Sequence, residues 1–174
     1  DWGAVVTYVV AAHHGERCLS ASALAIPPVQ RIPAGVRRVP RQLVLSWYMS
    51  FFQLRSVAER ALEARDWALL RWFWPRWSPG VDAPAHLIDR FEQPGVLGSA
   101  LAYYRQNATP PLLLGLRRND AMDIRPYGAP MLIVHGDRDG CMDARLFDHA
   151  IDRADHPHGL RYERIEGKGH FLHL

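Results

Sequence analysis

Asp1-Trp2-Gly3-Ala4 runs directly into Val5-Val6-Thr7-Tyr8-Val9-Val10-Ala11-Ala12, and the reading of this stretch decides the fold. A carboxylate and an aromatic are followed by two very small residues and then by an apolar run that can wind as a buried helix. A sharp strand-to-helix turn needs small residues beside the reactive one, because the backbone there leaves no space for side chains. On that reading Asp1 is an exposed nucleophile at the start of a helix. The first helical N–H groups, beginning with that of Trp2, point at the reacting centre. The competing reading of these four residues alone is an ordinary Asp N-cap.

Working outward, His13-His14-Gly15 stops the first helix, and Cys18 to Ile26 reads as a short buried strand ended by Pro27-Pro28. The texture then changes. Arg31 to Arg41 is basic and Pro-broken and reads as a loop. Val57 to Trp74 carries apolar residues near the helical period, with Pro75 and Ser78-Pro79-Gly80 expected to interrupt it. Ala85–Glu92 and Val96–Arg105 read as two further helices. The α/β pattern returns with Pro130–Gly136 as a buried strand, Asp143–Ala154 as a helix and Leu160–Ile165 as a strand. The predicted organisation is α/β core over 1–28, helical lid over 29–126, and core again over 127–174.

Composition narrows the function. The 174 residues are 48% hydrophobic, enough for one modest core, and carry a net charge of +3. The basic residues are arginines spread among acidic ones, apart from Lys168, so a nucleic-acid surface is not expected. No apolar run is long enough to cross a bilayer. Cys18 and Cys141 form no metal-ligand spacing and no disulfide framework, which fits a reducing cytoplasm. His13, His14, His156 and His158 read as surface residues, and Cys141 as a buried strand-end residue.

Three polar residues fall just beyond the C-terminal ends of predicted strands, where an open parallel sheet holds its active site. Asp1 follows a strand upstream of it, Asp139 follows Pro130–Gly136, and His170 follows Leu160–Ile165. The order nucleophile, acid, histidine is that of the α/β-hydrolases, and no GxSxG supplies a serine instead. Asp137 is a rival for the acid in the Gly136-Asp137-Arg138-Asp139 turn.

Together Asp1-Trp2-Gly3-Ala4, Gly136-Asp137-Arg138-Asp139 and Gly169-His170-Phe171 resemble the epoxide hydrolase branch of the α/β-hydrolase fold. The lid adds Tyr48, five residues before Gln53, and Tyr104, directly before Arg105, where that family keeps a pair of tyrosines. The resemblance implies a partial parallel sheet with a helical cap, and cofactor-independent opening of an epoxide to a diol without a metal. Asp1 would form an alkyl-enzyme ester, Tyr48 and Tyr104 would hold the epoxide oxygen, and His170, oriented by Asp139, would activate the hydrolytic water. Trp2 would supply an oxyanion donor through its backbone N–H, with Trp47 and Phe51 lining an apolar pocket. Tyr103 is a neighbouring alternative to Tyr104.

A dehalogenase of the same Asp–His–Asp logic and a non-catalytic ligand-binding relative are the competing functions. The expected partner is a small-molecule epoxide, and self-association is left open. The histidine that the family keeps before its nucleophile and its His-Gly-x-Pro oxyanion loop are not in the chain, which reads as a piece of a longer protein. The isolated 174-residue polypeptide is therefore expected to be inactive, and epoxide turnover by it alone would overturn that expectation.

Overall fold

The computed structural model describes residues 1–109, 111, 116 and 126–174. The downstream part of the predicted lid, 110–125 apart from those two residues, lies outside the described residues. Three parallel strands form one sheet in the order β1 (Ala21–Leu24), β2 (Met131–Gly136), β3 (Leu160–Ile165). Ala21 pairs with Met131 and Met131 with Leu160, so the strands start level and end on one side. β2 is central, with Met131, Ile133 and His135 buried on one face and Leu132 and Val134 half-buried on the other.

Helix α1 (Trp2–His13) packs on β1 and buries Ala4, Tyr8 and Ala11, which stand at helical spacing on one face. With Ile133, Leu146 and Phe147 these residues make the core of the sheet layer. Each large side chain buried there contributes about 2 kcal/mol of transfer free energy. Between β1 and β2 runs a helical insertion, called the lid below: α2 (Ile32–Arg38), which packs on the helix over Ala144–Ala150, then α3 (Arg41–Leu45), α4 (Trp47–Phe51), α5 (Val57–Trp77), α6 (Ala85–Phe91) and α7 (Val96–Asn107). It has a second apolar cluster of its own, built on Tyr48, Phe52, Leu62, Trp67, Phe73 and Leu101. Helix α8 (Ala144–Ala150) returns to the sheet layer, its N-cap Asp143 accepting from the backbone N–H of Arg145 at 3.0 Å. Among the described residues no helix is long and apolar enough to cross a membrane.

Several local expectations are corrected. Residues 32–38 are helical, with Pro33 in the first turn, where its missing N–H costs nothing. The break in α5 falls at Ala64–Trp67 and not at Pro75: Arg65, Asp66 and Trp67 have φ of 54°, 54° and 57°. Three successive left-handed residues without a glycine are costly, at about 1 kcal/mol or more each. Burial of the Trp67 ring against Phe91, at 5.8 Å, offsets part of that cost. The strand predicted over Cys18–Ile26 shrinks to Ala21–Leu24, and the helix predicted to Ala154 ends at Ala150.

His156 is buried rather than exposed, with both ring nitrogens unpartnered among the described residues, and it packs on Tyr127 at 4.7 Å. His135 is also buried, stacked on Phe147 and bonded to the Tyr162 hydroxyl at 2.7 Å. Burial lowers the pKa of both histidines. The unfolded chain therefore binds more protons between the lowered folded values and the ordinary value of about 6.5. The stability that the neutral rings hold is full above that value and is lost as pH falls toward the folded ones. His170, whose pKa is raised, acts with the opposite sign, so the test is a difference: the Tm of the unaltered protein minus that of His156→Phe should fall from pH 7.5 to 5.5. A difference that does not change with pH would remove His156 from the account.

Candidate active site

The C-terminal ends of the strands gather the three predicted groups. Asp1 caps α1 without a side-chain capping bond, so its carboxylate is not engaged as an N-cap. Its amine donates to the Leu24 carbonyl at 3.1 Å, which fixes it beside the end of β1. Asp139 and His170 stand in the loops after β2 and β3. His170 Nδ1 lies 2.8 Å from Asp139 Oδ2, and Nε2 lies 3.6 Å from Asp1 Oδ2. One imidazole thus faces two carboxylates from opposite ring nitrogens. Asp1 is half exposed, whereas Asp139 and His170 are buried.

The local sequence explains how Asp139 is aimed. The backbone N–H groups of Cys141 and Met142 both donate to its Oδ1, at 2.6 and 2.9 Å, leaving Oδ2 for the histidine. The rival Asp137 is exposed and accepts from the Gly167 N–H at 2.7 Å. Burial works against a charge on His170, but Cys141 and Asp139 beside it outweigh that and hold its pKa above the ordinary histidine value. A carboxylate so placed stabilises the imidazolium that forms when the ring takes a proton.

Both loops are anchored to the C-terminal end of α5. The Trp77 carbonyl accepts from the N–H of Gly140 and from that of His170, each at 3.0 Å, and Ser78 Oγ accepts from Phe171 N–H at 3.2 Å. Phe171 stacks on Trp74 at 4.3 Å. The approach is so close that only glycine fits twice. A Cβ on Gly140 would lie 1.8 Å from the Arg76 carbonyl oxygen, and one on Gly169 would lie 2.4 Å from the Ser78 Cα. The glycine before His170 is therefore a packing requirement of the lid contact.

The lid brings its tyrosines to the same place. Tyr48 is buried, and its ring lies 6.0 Å from that of Tyr104, edge to face. Tyr104 meets Trp2 at 5.4 Å, while Tyr103 also touches Trp2 but is half exposed. Burial pushes Tyr104 up to about 12 and Tyr48 well above its ordinary value, so both hydroxyls keep their protons as donors. The residues flanking them are structural ties. Gln53 Nε2 donates to the Tyr104 carbonyl at 3.1 Å, and Arg105 Nε donates to the Phe52 carbonyl at 2.8 Å. Arg105 also pairs with Glu59 at 2.6 Å, which lowers the Glu59 pKa to about 2. Trp47 and Phe51 contact each other and the lid rings Phe73 and Phe52, so their ring contacts run within the lid.

Two residues were missed or misplaced by sequence reasoning. Cys141 is not at a strand end but in the acid loop, where its thiol interacts with both His170 and Tyr48. Its donor atom lies within 4.8 Å of those of Asp139 and His170, so these three could hold a metal. Gln42 on α3 is almost wholly buried and clamps the acid loop to the lid. Its Nε2 donates to the Cys141 carbonyl and to Ser46 Oγ, both at 2.8 Å, and its Oε1 accepts from Asp143 N–H at 2.7 Å. The signal available in sequence was a lone Gln in an apolar stretch, which does not specify a partner a hundred residues away.

Parallel strands, an acid and a histidine after successive strands, and a helical insertion between the first strand and the second are the arrangement of the α/β-hydrolase fold. The chain is 26% identical over 180 residues to epoxide hydrolase 3 of Mus musculus, an alignment covering 99% of this chain and 46% of that one. It is similar in structure to the epoxide hydrolase of Bacillus megaterium in complex with an inhibitor, with TM-score 0.68 and 21% identity over 98% of this chain and 60% of that one. The epoxide hydrolase of Vigna radiata gives TM-score 0.65 and 20% identity over 98% and 62%. No family model matches the chain. The chain thus spans about half the length of the curated relative it matches, and its fold is the α/β-hydrolase fold of the epoxide hydrolases over that part.

Replacing Gln42 with Leu leaves the Cys141 carbonyl and the Asp143 N–H buried without partners, at about 1–3 kcal/mol each. Urea unfolding should show a loss of at least about 2 kcal/mol, with faster hydrogen exchange at the Asp143 amide. Unchanged exchange there would mean that the clamp does not hold the loop.

Proposed function

We propose that the protein is an epoxide hydrolase that opens its substrate through an ester on Asp1. The observation that carries this reading is the single buried His170 between the Asp1 and Asp139 carboxylates, with two buried tyrosines beside it. A carboxylate oxygen of Asp1 attacks an epoxide carbon and the C–O bond breaks. Tyr48 and Tyr104 donate to the alkoxide as it forms. The neutral His170 ring then takes a proton from water and hydroxide attacks the ester carbonyl. The ester C–O bond breaks, the imidazolium gives its proton to the departing alkoxide, and the Asp1 carboxyl proton returns to the tyrosine that donated, so the diol leaves with every group restored. Asp139 keeps the ring oriented and compensates its charge. The scheme calls on no cofactor.

The substrate is proposed as a small apolar epoxide. A variant of the Bacillus megaterium relative has been solved with a naphthyloxy-propanediol product, and the ring-lined lid here favours an aryl ether epoxide of that kind. One observation favours a second reading, a dehalogenase: the Trp2 indole N–H is buried without a partner among the described residues, and such a group can hold a leaving halide.

The test is to express the complete reading frame that encodes this chain and to assay aryl glycidyl ethers and haloalkanes. Diol formation is expected, falling about 10⁴-fold or more in Asp1→Ala. His170→Gln is expected to accumulate the ester, seen as protein mass increased by one substrate. Tyr48→Phe with Tyr104→Phe should depress ring opening. Halide release without diol would replace the epoxide reading with the dehalogenase one, and unchanged turnover in Asp1→Ala would overturn both.

A further inference from the structure

We propose that Asp139, Cys141 and His170 form a binding site for one thiophilic divalent cation of the zinc class, whose occupancy withdraws His170 from the reaction. A carboxylate oxygen, a thiol sulfur and an imidazole nitrogen lie within 4.8 Å of one another, and all three residues are buried. Zinc bonds of about 2.0–2.3 Å put neighbouring ligand atoms of a tetrahedral site roughly 3.5 Å apart. His170 and Asp139 would open slightly from their 2.8 Å bond, and the sulfur, within 4.8 Å of both ligand atoms, would take its place at bonding distance of the ion.

The cluster is held for this. The Cys141 N–H donates to Asp139 and its carbonyl accepts from Gln42, so the main chain is pinned on both sides of the thiol. Only rotation about the side-chain bond is left free. The mixed sulfur, nitrogen and oxygen set selects zinc-like ions over magnesium or calcium, which prefer oxygen ligands throughout. Three protein ligands leave a fourth position open. Asp1 faces the other ring nitrogen, Nε2, at 3.6 Å and stays outside the ligand set. Binding is a ligation without redox change: the thiol proton leaves to solvent, and thiolate, imidazole and carboxylate each donate an electron pair. A histidine bound in this way has lost its hydrogen bond to Asp139 and the orientation that bond gives.

Cadmium is the probe, added to the protein from the complete reading frame. The sulfur-to-cadmium charge-transfer band should saturate with one ion on this site. It should persist in Cys18→Ser and disappear in Cys141→Ser, which removes the site's only sulfur ligand. X-ray absorption at the zinc edge of the unaltered protein should give one sulfur and at least one imidazole. A shell without sulfur, or a band that survives Cys141→Ser or vanishes with Cys18→Ser, overturns the site. The inhibitory consequence rests on the proposed role of His170. Loss of turnover that tracks the charge-transfer band supports it, and full turnover with the site saturated overturns it. The band and the edge read binding whether or not the protein turns over epoxides.

Discussion

The site depends on the placement of one carboxylate. Asp139 divides its two oxygens: Oδ1 is saturated by two backbone N–H groups of its own loop, and Oδ2 is left for His170. Because the donors are main-chain and lie two and three residues ahead, the carboxylate cannot rotate without leaving buried N–H groups unpaired. The imidazole inherits that fixity through a 2.8 Å bond and turns its other nitrogen to Asp1. Nothing in this depends on long or flexible side chains, which is how a short loop holds an acid–base pair in register.

The second constraint is that the lid and the sheet layer share atoms. One carbonyl, that of Trp77 at the end of α5, accepts from both the acid loop and the histidine loop. Gln42 ties the other side of the acid loop to α3. The two tyrosines are placed by main-chain ties between α4 and α7, through Gln53 and Arg105. Burial keeps both hydroxyls protonated, which the proposed ring opening requires.

Much of this was legible in the sequence because it rests on local pattern. Met131–Gly136 is an apolar run and Leu160–Ile165 a segment that opens with apolar and charged residues alternating, and both are strands as expected. That placed Asp139 and His170 by simple chain order. The features that escaped are tertiary. Gln42 is a polar residue in an apolar helix until its partners a hundred residues away are known. Cys141 looks inert until it is seen against His170 and Tyr48. His156 looks like a surface residue, yet packing on Tyr127 buries it. The left-handed turn at Arg65–Trp67 carries no glycine to announce it, whereas Pro75, the evident breaker, sits within helix. Backbone propensity yields there to burial of Trp67.

The shared carbonyl of Trp77 also limits how the lid can move. Sliding the C-terminal end of α5 by even an ångström would stretch the bonds to Gly140 and His170 together, and the close fit at both glycines leaves no slack in the other direction. That end of the lid is therefore rigidly joined to the dyad. The tyrosine-bearing helices α4 and α7 meet the sheet layer differently, through ring contacts such as Trp2 with Tyr104, which tolerate small displacements better than hydrogen bonds do. Tyr48, however, packs on Trp77 at 5.1 Å and on Phe73 at 6.2 Å, so the tyrosine side is itself tied to the anchored end of α5 and its displacements are kept small.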